Sequence, residues 1–172
     1  MISVVHLTKS ARYPVDFAGS THTVSRNNQR SVGMSAYDDQ NIFAKILRDE
    51  IPSIRLFEDE DTLCFMDIMP RADGHCLVIP KTPCRNVLDA SPDQLASVMK
   101  TVQVMAHAVM KAFGAEGVTL QQFNEDAGGQ EVYHLHFHIL PRHAGVSLRP
   151  PGKMADMEAL QAQAEKIRAA LA

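Results

Sequence analysis

The segment EVYHLHFHIL, residues 131–140, sets the strongest constraint on the fold. Its histidines fall on alternate positions, with apolar residues between them. An extended chain has a side-chain period of two, so His134, His136 and His138 share one face and Leu135, Phe137 and Ile139 the other. A helix would scatter the same rings around its circumference. A strand over 131–140 is therefore expected, with its apolar side toward a core. Three imidazoles on the other side are costly to bury without partners. That face must meet something polar.

The surrounding text supplies further elements. "NIFAKILRDEIPS" places Ile42, Phe43, Ile46 and Leu47 at helical spacing and stops before Pro52. "TLCFMDI" (62–68) and "GHCLVIPK" (74–81) read as strands joined by a turn. Leu63, Phe65 and Asp67 alternate onto one face of the first, and His75, Leu77 and Ile79 onto one face of the second. In "SPDQLASVMKTVQVMAHAVMKAFG", Ser91 is a helix N-cap with Pro92 at the first position and Gln94 closing a capping box. Leu95, Val98, Met99, Val102, Met105, Val109 and Phe113 form the apolar stripe, the methionines filling core, and Gly114 marks the stop. His107 falls on the polar side. "VTLQQFN" (118–124) pairs with the histidine strand as an antiparallel hairpin across "EDAGGQ". After "RPPG" a helix from about Met154 carries Met157, Leu160, Ala164, Ile167 and Leu171 in a narrow seam, expected to pack on the chain's own sheet. The pattern specifies an α+β fold, an antiparallel sheet with helices packed on one side.

Three segments follow: 1–34, an N-terminal extension expected to be disordered; 35–148, the catalytic or binding domain; and 149–172, the C-terminal helix. Residues 1–33 carry Lys9, Arg12, Arg26 and Arg30 against one acid, Asp16. That composition suits an organelle transit peptide as well as an extension ahead of a compact start at Met34. A net charge of −3 over 172 residues provides no basic field for duplex nucleic acid. No apolar run reaches the roughly 18 to 20 residues of a membrane span. Cys64, Cys76 and Cys84 are odd in number and lack CxxC spacing, which points to reduced thiols and a cytoplasmic setting.

Same-face neighbours along a strand sit roughly 6.5 to 7 Å apart. Two adjacent histidines can chelate zinc, whereas three on one ion would need strong distortion, and structural histidines bonded in the core are a further reading. The chemistry best served by the row is phosphoryl or nucleotidyl transfer. A central imidazole attacks phosphorus and splits one difficult step into two. Its neighbours hold the non-bridging oxygens and steer the leaving group's proton. A backbone carbonyl or a carboxylate should fix the nucleophile's tautomer. An ordinary imidazole titrates between pH 5 and 8, and turnover is expected to follow it.

"HLHFHIL" resembles the HφHφHφφ signature of the histidine-triad superfamily, φ being apolar. "NIFAKILRDEIPS", "FMDIMPRADGHCLVIPK" and "FNEDAGGQEVYHLHFHILPR" are similar, in order and spacing, to its Hint/Hit branch over about Ile42 to Arg142. His138 stands where a related uridylyltransferase group usually has glutamine. Glu131 stands where many Hint-type proteins carry a phosphate-contacting serine, and "PRHAG" replaces a Gly-Gly step.

The resemblance implies a hydrolase or transferase of nucleoside 5'-monophosphate derivatives, purine by preference: phosphoramidates, aminoacyl-nucleotides or dinucleoside polyphosphates. It implies no metal or other cofactor, and a homodimer whose sheets join across subunits. By position His136 is the nucleophile, with His134 and His138 assisting and contacting phosphate. Asn124 and Gln130 frame the phosphate or leaving group, and Asp67 accepts ribose hydroxyls. Ile42, Phe43, Ile46, Phe65, Ile68 and Leu77 line the base pocket. His75 matches a histidine of the second strand, read as structural. His143, Lys81 and Arg142 are expected as surface neighbours. Two other classes compete: a nucleotide-sensing or scaffold module with incidental catalysis, and a metal-binding protein.

Overall fold

A computed structural model describes residues 36–172; the expectations for 1–34 lie outside the described residues. Helix α1 (Ile42–Leu47) is followed by strands β1 (Arg55–Glu58), β2 (Thr62–Met66) and β3 (Cys76–Pro80). Helix α2 (Pro92–Phe113) leads to β4 (Gly117–Gln121), a single 3-10 turn (Asp126–Gly128), β5 (Phe137–Arg142) and α3 (Met157–Leu171). The strands form one sheet in the order β1-β2-β3-β5-β4, and every neighbouring pair is antiparallel.

Local chemistry starts and stops the helices where the pattern indicates. The Ser91 side chain accepts from the Gln94 N–H while Gln94 reaches back to the Ser91 backbone. Gly114 ends α2 in the left-handed conformation that glycine adopts without a Cβ penalty. Asn41 caps α1 by accepting from the Phe43 and Ala44 N–H groups, at 3.0 and 2.9 Å.

The pleat divides the core in two. On one face Cys64, Met66, Cys76, Val78 and Ile139 pack against Val98, Val102, Met105 and Val109 of α2 and Leu160, Ala164 and Ile167 of α3. Burial of this face is the main stabilising term. On the other face Leu63, Phe65, Leu77 and Ile79 meet Phe43 and Ile46 of the short α1. The α3 seam thus packs within the chain's own core. Among the described residues no helix is long and apolar enough to cross a membrane. The three cysteines are free and buried.

Two local expectations are corrected, and one strand lies outside the expected set. The histidine strand begins at Phe137, so His134 and His136 precede it. The β3–β5 ladder ends with Val78 opposite Phe137. Continuing it would bring the chain to Pro80, which has no N–H to donate and whose carbonyl accepts the His134 ring instead. Met99 is 41% exposed while its neighbour Val98 is fully buried: the stripe is narrower than expected, and Met99 lies on its solvent flank. Strand β1 escapes the pattern because a register shift between Arg55 and Phe57 breaks its alternation.

Candidate active site

Register decides what surrounds the triad. His138 lies opposite Leu77 on β3 and Gln121 on β4. The His136 and His138 ring centroids are 5.0 Å apart. Phe43 packs edge-on against His136, at 5.1 Å, and against His134, at 6.3 Å.

His136 is held by the backbone two residues before it. Its Nδ1 lies 2.7 Å from the carbonyl oxygen of His134, and a carbonyl only accepts, so Nδ1 carries the proton. The lone pair of the neutral ring is then on Nε2, which has no hydrogen-bond partner among the described residues. Desolvation lowers this imidazole's pKa to about 4, outweighing the raising effect of the bond to His134. The ring is neutral at ordinary pH, with a tautomer set by geometry.

His134 has no such free nitrogen, contrary to the expected phosphate contact. Its Nε2 donates to the Pro80 carbonyl at 2.9 Å, and its Nδ1 meets the Tyr37 hydroxyl at 2.6 Å. The side chain is fully buried, and desolvation lowers its pKa.

His138 is oriented by a chain of donors. The Arg71 backbone N–H donates to His75 Nδ1 at 3.2 Å. Neutral His75 therefore carries its proton on Nε2, which donates to His138 Nδ1 at 2.9 Å. Desolvation lowers the pKa of His75 to about 4, which keeps it neutral. With Nδ1 accepting, the proton of neutral His138 sits on Nε2. His75 is thus part of the site and more than structural filler. Phe123 packs edge-on against His138 at 5.9 Å.

Asp67 serves the same cluster. Its Oδ1 accepts the Met69 N–H at 2.8 Å, closing the turn before Pro70. Its Oδ2 lies 3.4 Å from His75 Nδ1 and 3.7 Å from His138 Nδ1. Burial works to raise the Asp67 carboxyl, but His138, His75 and the Met69 N–H outweigh it and hold the pKa below its ordinary value. Asp67, His75 and His138 offer donor atoms within 4.8 Å of one another, a spacing a divalent cation can use. The contacts among them already account for the arrangement.

The polar residues ahead of the triad are committed elsewhere. Gln130, 4% exposed, accepts from Glu125 N and Asn86 Nδ2 and donates to the Arg85 and Val132 carbonyls. All four of its side-chain bonds are used, so it frames the loop and has none left for phosphate. Asn124 accepts from Val87 N and donates to Gln122, leaving one amide hydrogen. Arg85 pairs bidentately with Glu125 at 2.8 Å and stacks on Tyr133 at 3.8 Å. This clamp holds Glu125 at a φ of 59°, where a side chain is strained. Glu131 is exposed.

The six expected pocket residues separate. Ile42 and Ile68 are 42% and 39% exposed and present apolar surface. Phe43, Ile46, Phe65 and Leu77 are buried in the α1-side core, where they support the site without offering surface to a ligand. Lys81 is tied to the Asp59 carbonyl and Glu58, Arg142 reaches the Val146 carbonyl, and His143 is exposed.

Of the residues missed in the sequence, Tyr37 lies in "MSAYDD", upstream of any periodic pattern. Pro80 acts through its carbonyl, which no side-chain pattern marks. Phe123 follows the "VTLQQ" strand and could be noticed there only as an aromatic beside Asn124.

A five-stranded antiparallel sheet presenting alternate histidines at one end of an inner strand is a histidine-triad site. The chain belongs to that family: residues 48–145 match the HIT domain. It is 35% identical over 136 residues to "Adenylylsulfatase HINT3" of Arabidopsis thaliana, covering 76% of this chain and 69% of that protein. It is 34% identical over 129 residues to "Adenosine 5'-monophosphoramidase hnt1" of Schizosaccharomyces pombe, covering 73% and 94%. A Hit-like protein of Bartonella henselae, described as involved in cell-cycle regulation, superposes with a TM-score of 0.77. It shares 57% identity, over 79% of this chain and 99% of that one.

Proposed function

We propose that the protein is a nucleotide hydrolase acting on nucleoside 5'-monophosphate derivatives through a nucleotidyl-His136 intermediate. The carrying observation is the 2.7 Å bond that keeps the proton of His136 on Nδ1 and leaves Nε2 free. The Nε2 lone pair attacks phosphorus, and the bond from phosphorus to the leaving nitrogen or oxygen breaks with its electron pair going to the leaving group. His138 hands on its Nε2 proton as the imidazolium, whose Nδ1–H faces the Asp67 carboxylate at 3.7 Å, and the neutral ring that remains is the base for water in the second step. Water attacks phosphorus, the P–N bond breaks, its pair returns to Nε2, and a nucleoside monophosphate leaves. The free amide hydrogen of Asn124 is available to a phosphate oxygen, Asp67 to a ribose hydroxyl, and Ile42 and Ile68 to a purine ring. His134 and Gln130 act by holding His136 and the loop.

The names of the relatives support an adenosine phosphoramidate or adenylyl sulfate as substrate; aminoacyl-nucleotides and dinucleoside polyphosphates complete the panel. Strand β4 is at the sheet edge, and Leu120 there is 44% exposed. These features support a homodimer joined through β4, with molecular mass in solution as the test. The function is tested by incubating the protein with adenosine 5'-phosphoramidate and following AMP release. Rapid quench should trap an adenylyl group on His136, and His136→Asn should abolish turnover while retaining AMP affinity. Turnover in that variant, or label on another residue, overturns the mechanism. Nucleotide binding with turnover too slow to accumulate the intermediate would favour a sensing module.

A further inference from the structure

The nucleophile proposed above sits just outside the regular part of the sheet. Residues 132–136 belong to no strand or helix. Leu135 N donates to the Cys84 carbonyl at 2.9 Å, Gln130 Nε2 donates to the Val132 carbonyl at 3.0 Å, and the ring of His134, two residues before the nucleophile, makes two further bonds. That ring donates from Nε2 to the Pro80 carbonyl, so its Nδ1 is a buried lone pair that needs a donor. Tyr37 provides one, its hydroxyl 2.6 Å away and its ring edge-on at 5.6 Å. An unsatisfied acceptor at a fully buried position costs enough to make the ring reorient or draw in water. A reoriented ring pulls on the His134 peptide, whose oxygen sets the His136 tautomer.

We propose that Tyr37 is a positioning residue for catalysis: its hydroxyl locks the His134 ring, and through the His134 carbonyl fixes which nitrogen of His136 is free to attack. The proposal rests on the nucleotidyl-His136 reading. It ties the site to the segment ahead of α1, which is held in turn by Asn41 Nδ2 on the Asp38 carbonyl at 2.6 Å and Arg48 Nη1 on the Asp39 carbonyl at 2.9 Å. Undocking that segment would release the nucleophile without touching a substrate contact.

The test is Tyr37→Phe in the full chain, which keeps the ring and removes one hydroxyl. The kcat on adenosine 5'-phosphoramidate should fall about tenfold with KM within twofold, because the groups assigned to nucleotide binding are untouched. In histidine labelled with 15N, His136 should pass from a single Nδ1–H form to a mixture, and the His134 resonances should shift. Arg48→Ala, which frees the Asp39 carbonyl and leaves every buried ring in place, should move the same signals the same way to a smaller extent. It also serves if Tyr37→Phe fails to fold. Unchanged His136 resonances in both variants overturn the proposal, whatever happens to thermal stability, as does a fall in kcat with the tautomer intact. If wild type turns over none of the panel but the resonances shift as stated, the functional reading fails and the positioning role stands.

Discussion

His75 and His138 lie 63 residues apart in the chain and meet ring to ring, His75 Nε2 donating to His138 Nδ1 across 2.9 Å. The bond makes His138 a donor through Nε2. Replacing His75 with Ala should leave His138 free to hold its proton on either nitrogen. The expected loss in kcat is roughly tenfold to a hundredfold, at the lower end of what general acid catalysis contributes. It should be larger for an amine leaving group than for sulfate, which needs no proton. Equal losses on both substrates would remove His138 from the proton transfer.

The pH dependence of kcat/KM reports the free enzyme. An ordinary imidazole would halve the activity near pH 6.5, but desolvation lowers His136 to about 4. The limb assigned to the nucleophile should therefore be flat from neutrality down to about pH 5 and fall near 4. A half-point close to 6.5 would mean that the nucleophilic ring is solvated.

The same burial sets an acid stability window. In the folded protein His75 and His136 titrate near 4, while in the unfolded chain they titrate near 6.5. Between those values the unfolded state binds more protons, so stability falls as pH falls, by roughly 1 kcal/mol per pH unit for each ring. Above 6.5 these rings contribute no slope, and below 4 their penalty is complete. Urea titrations at pH 7, 6 and 5 should show the decline, and His136→Asn should reduce it.

Gln130 separates a structural from a binding role. All its side-chain bonds are internal, so Gln130→Ala leaves buried partners unpaired, at about 1 to 3 kcal/mol per group. Chemical denaturation should show a loss of about 2 kcal/mol or more. A variant of native stability with a raised KM would restore Gln130 to the substrate.

Gly74, at a φ of +77°, sits against Phe113 at the end of α2, and an added Cβ would lie 2.3 Å from the ring. Gly74→Ala should destabilise by about 2 kcal/mol or more through backbone strain and overpacking. It should also weaken the His75–His138 bond, since His75 follows directly. An unchanged midpoint in urea would show that Phe113 moves aside at little cost.

Much of this molecule is legible in local patterns. The period of two puts Leu63, Phe65, Leu77 and Ile79 on one face and Cys64, Met66, Cys76 and Val78 on the other, as the sheet shows. The Ser91–Gln94 box and Gly114 bound α2, since a cap is chemistry between near neighbours. The HxHxH spacing locates the histidine cluster for the same reason.

What the pattern could not supply is which nitrogen of each ring is free. The pairs His134–Tyr37 and His138–His75 span 97 and 63 residues, and a tautomer follows from the partner and not from the histidine. The missing N–H of Pro80 ended the ladder early, and the Arg85–Glu125 loop absorbed Gln130 into the framework. The sequence by itself determined where imidazoles gather and which side of the sheet carries them, because side-chain direction is set residue by residue. Only the tertiary structure decided that His136 has the free lone pair and His134 has none, because hydrogen-bond donors and acceptors are shared out among groups that only folding brings together.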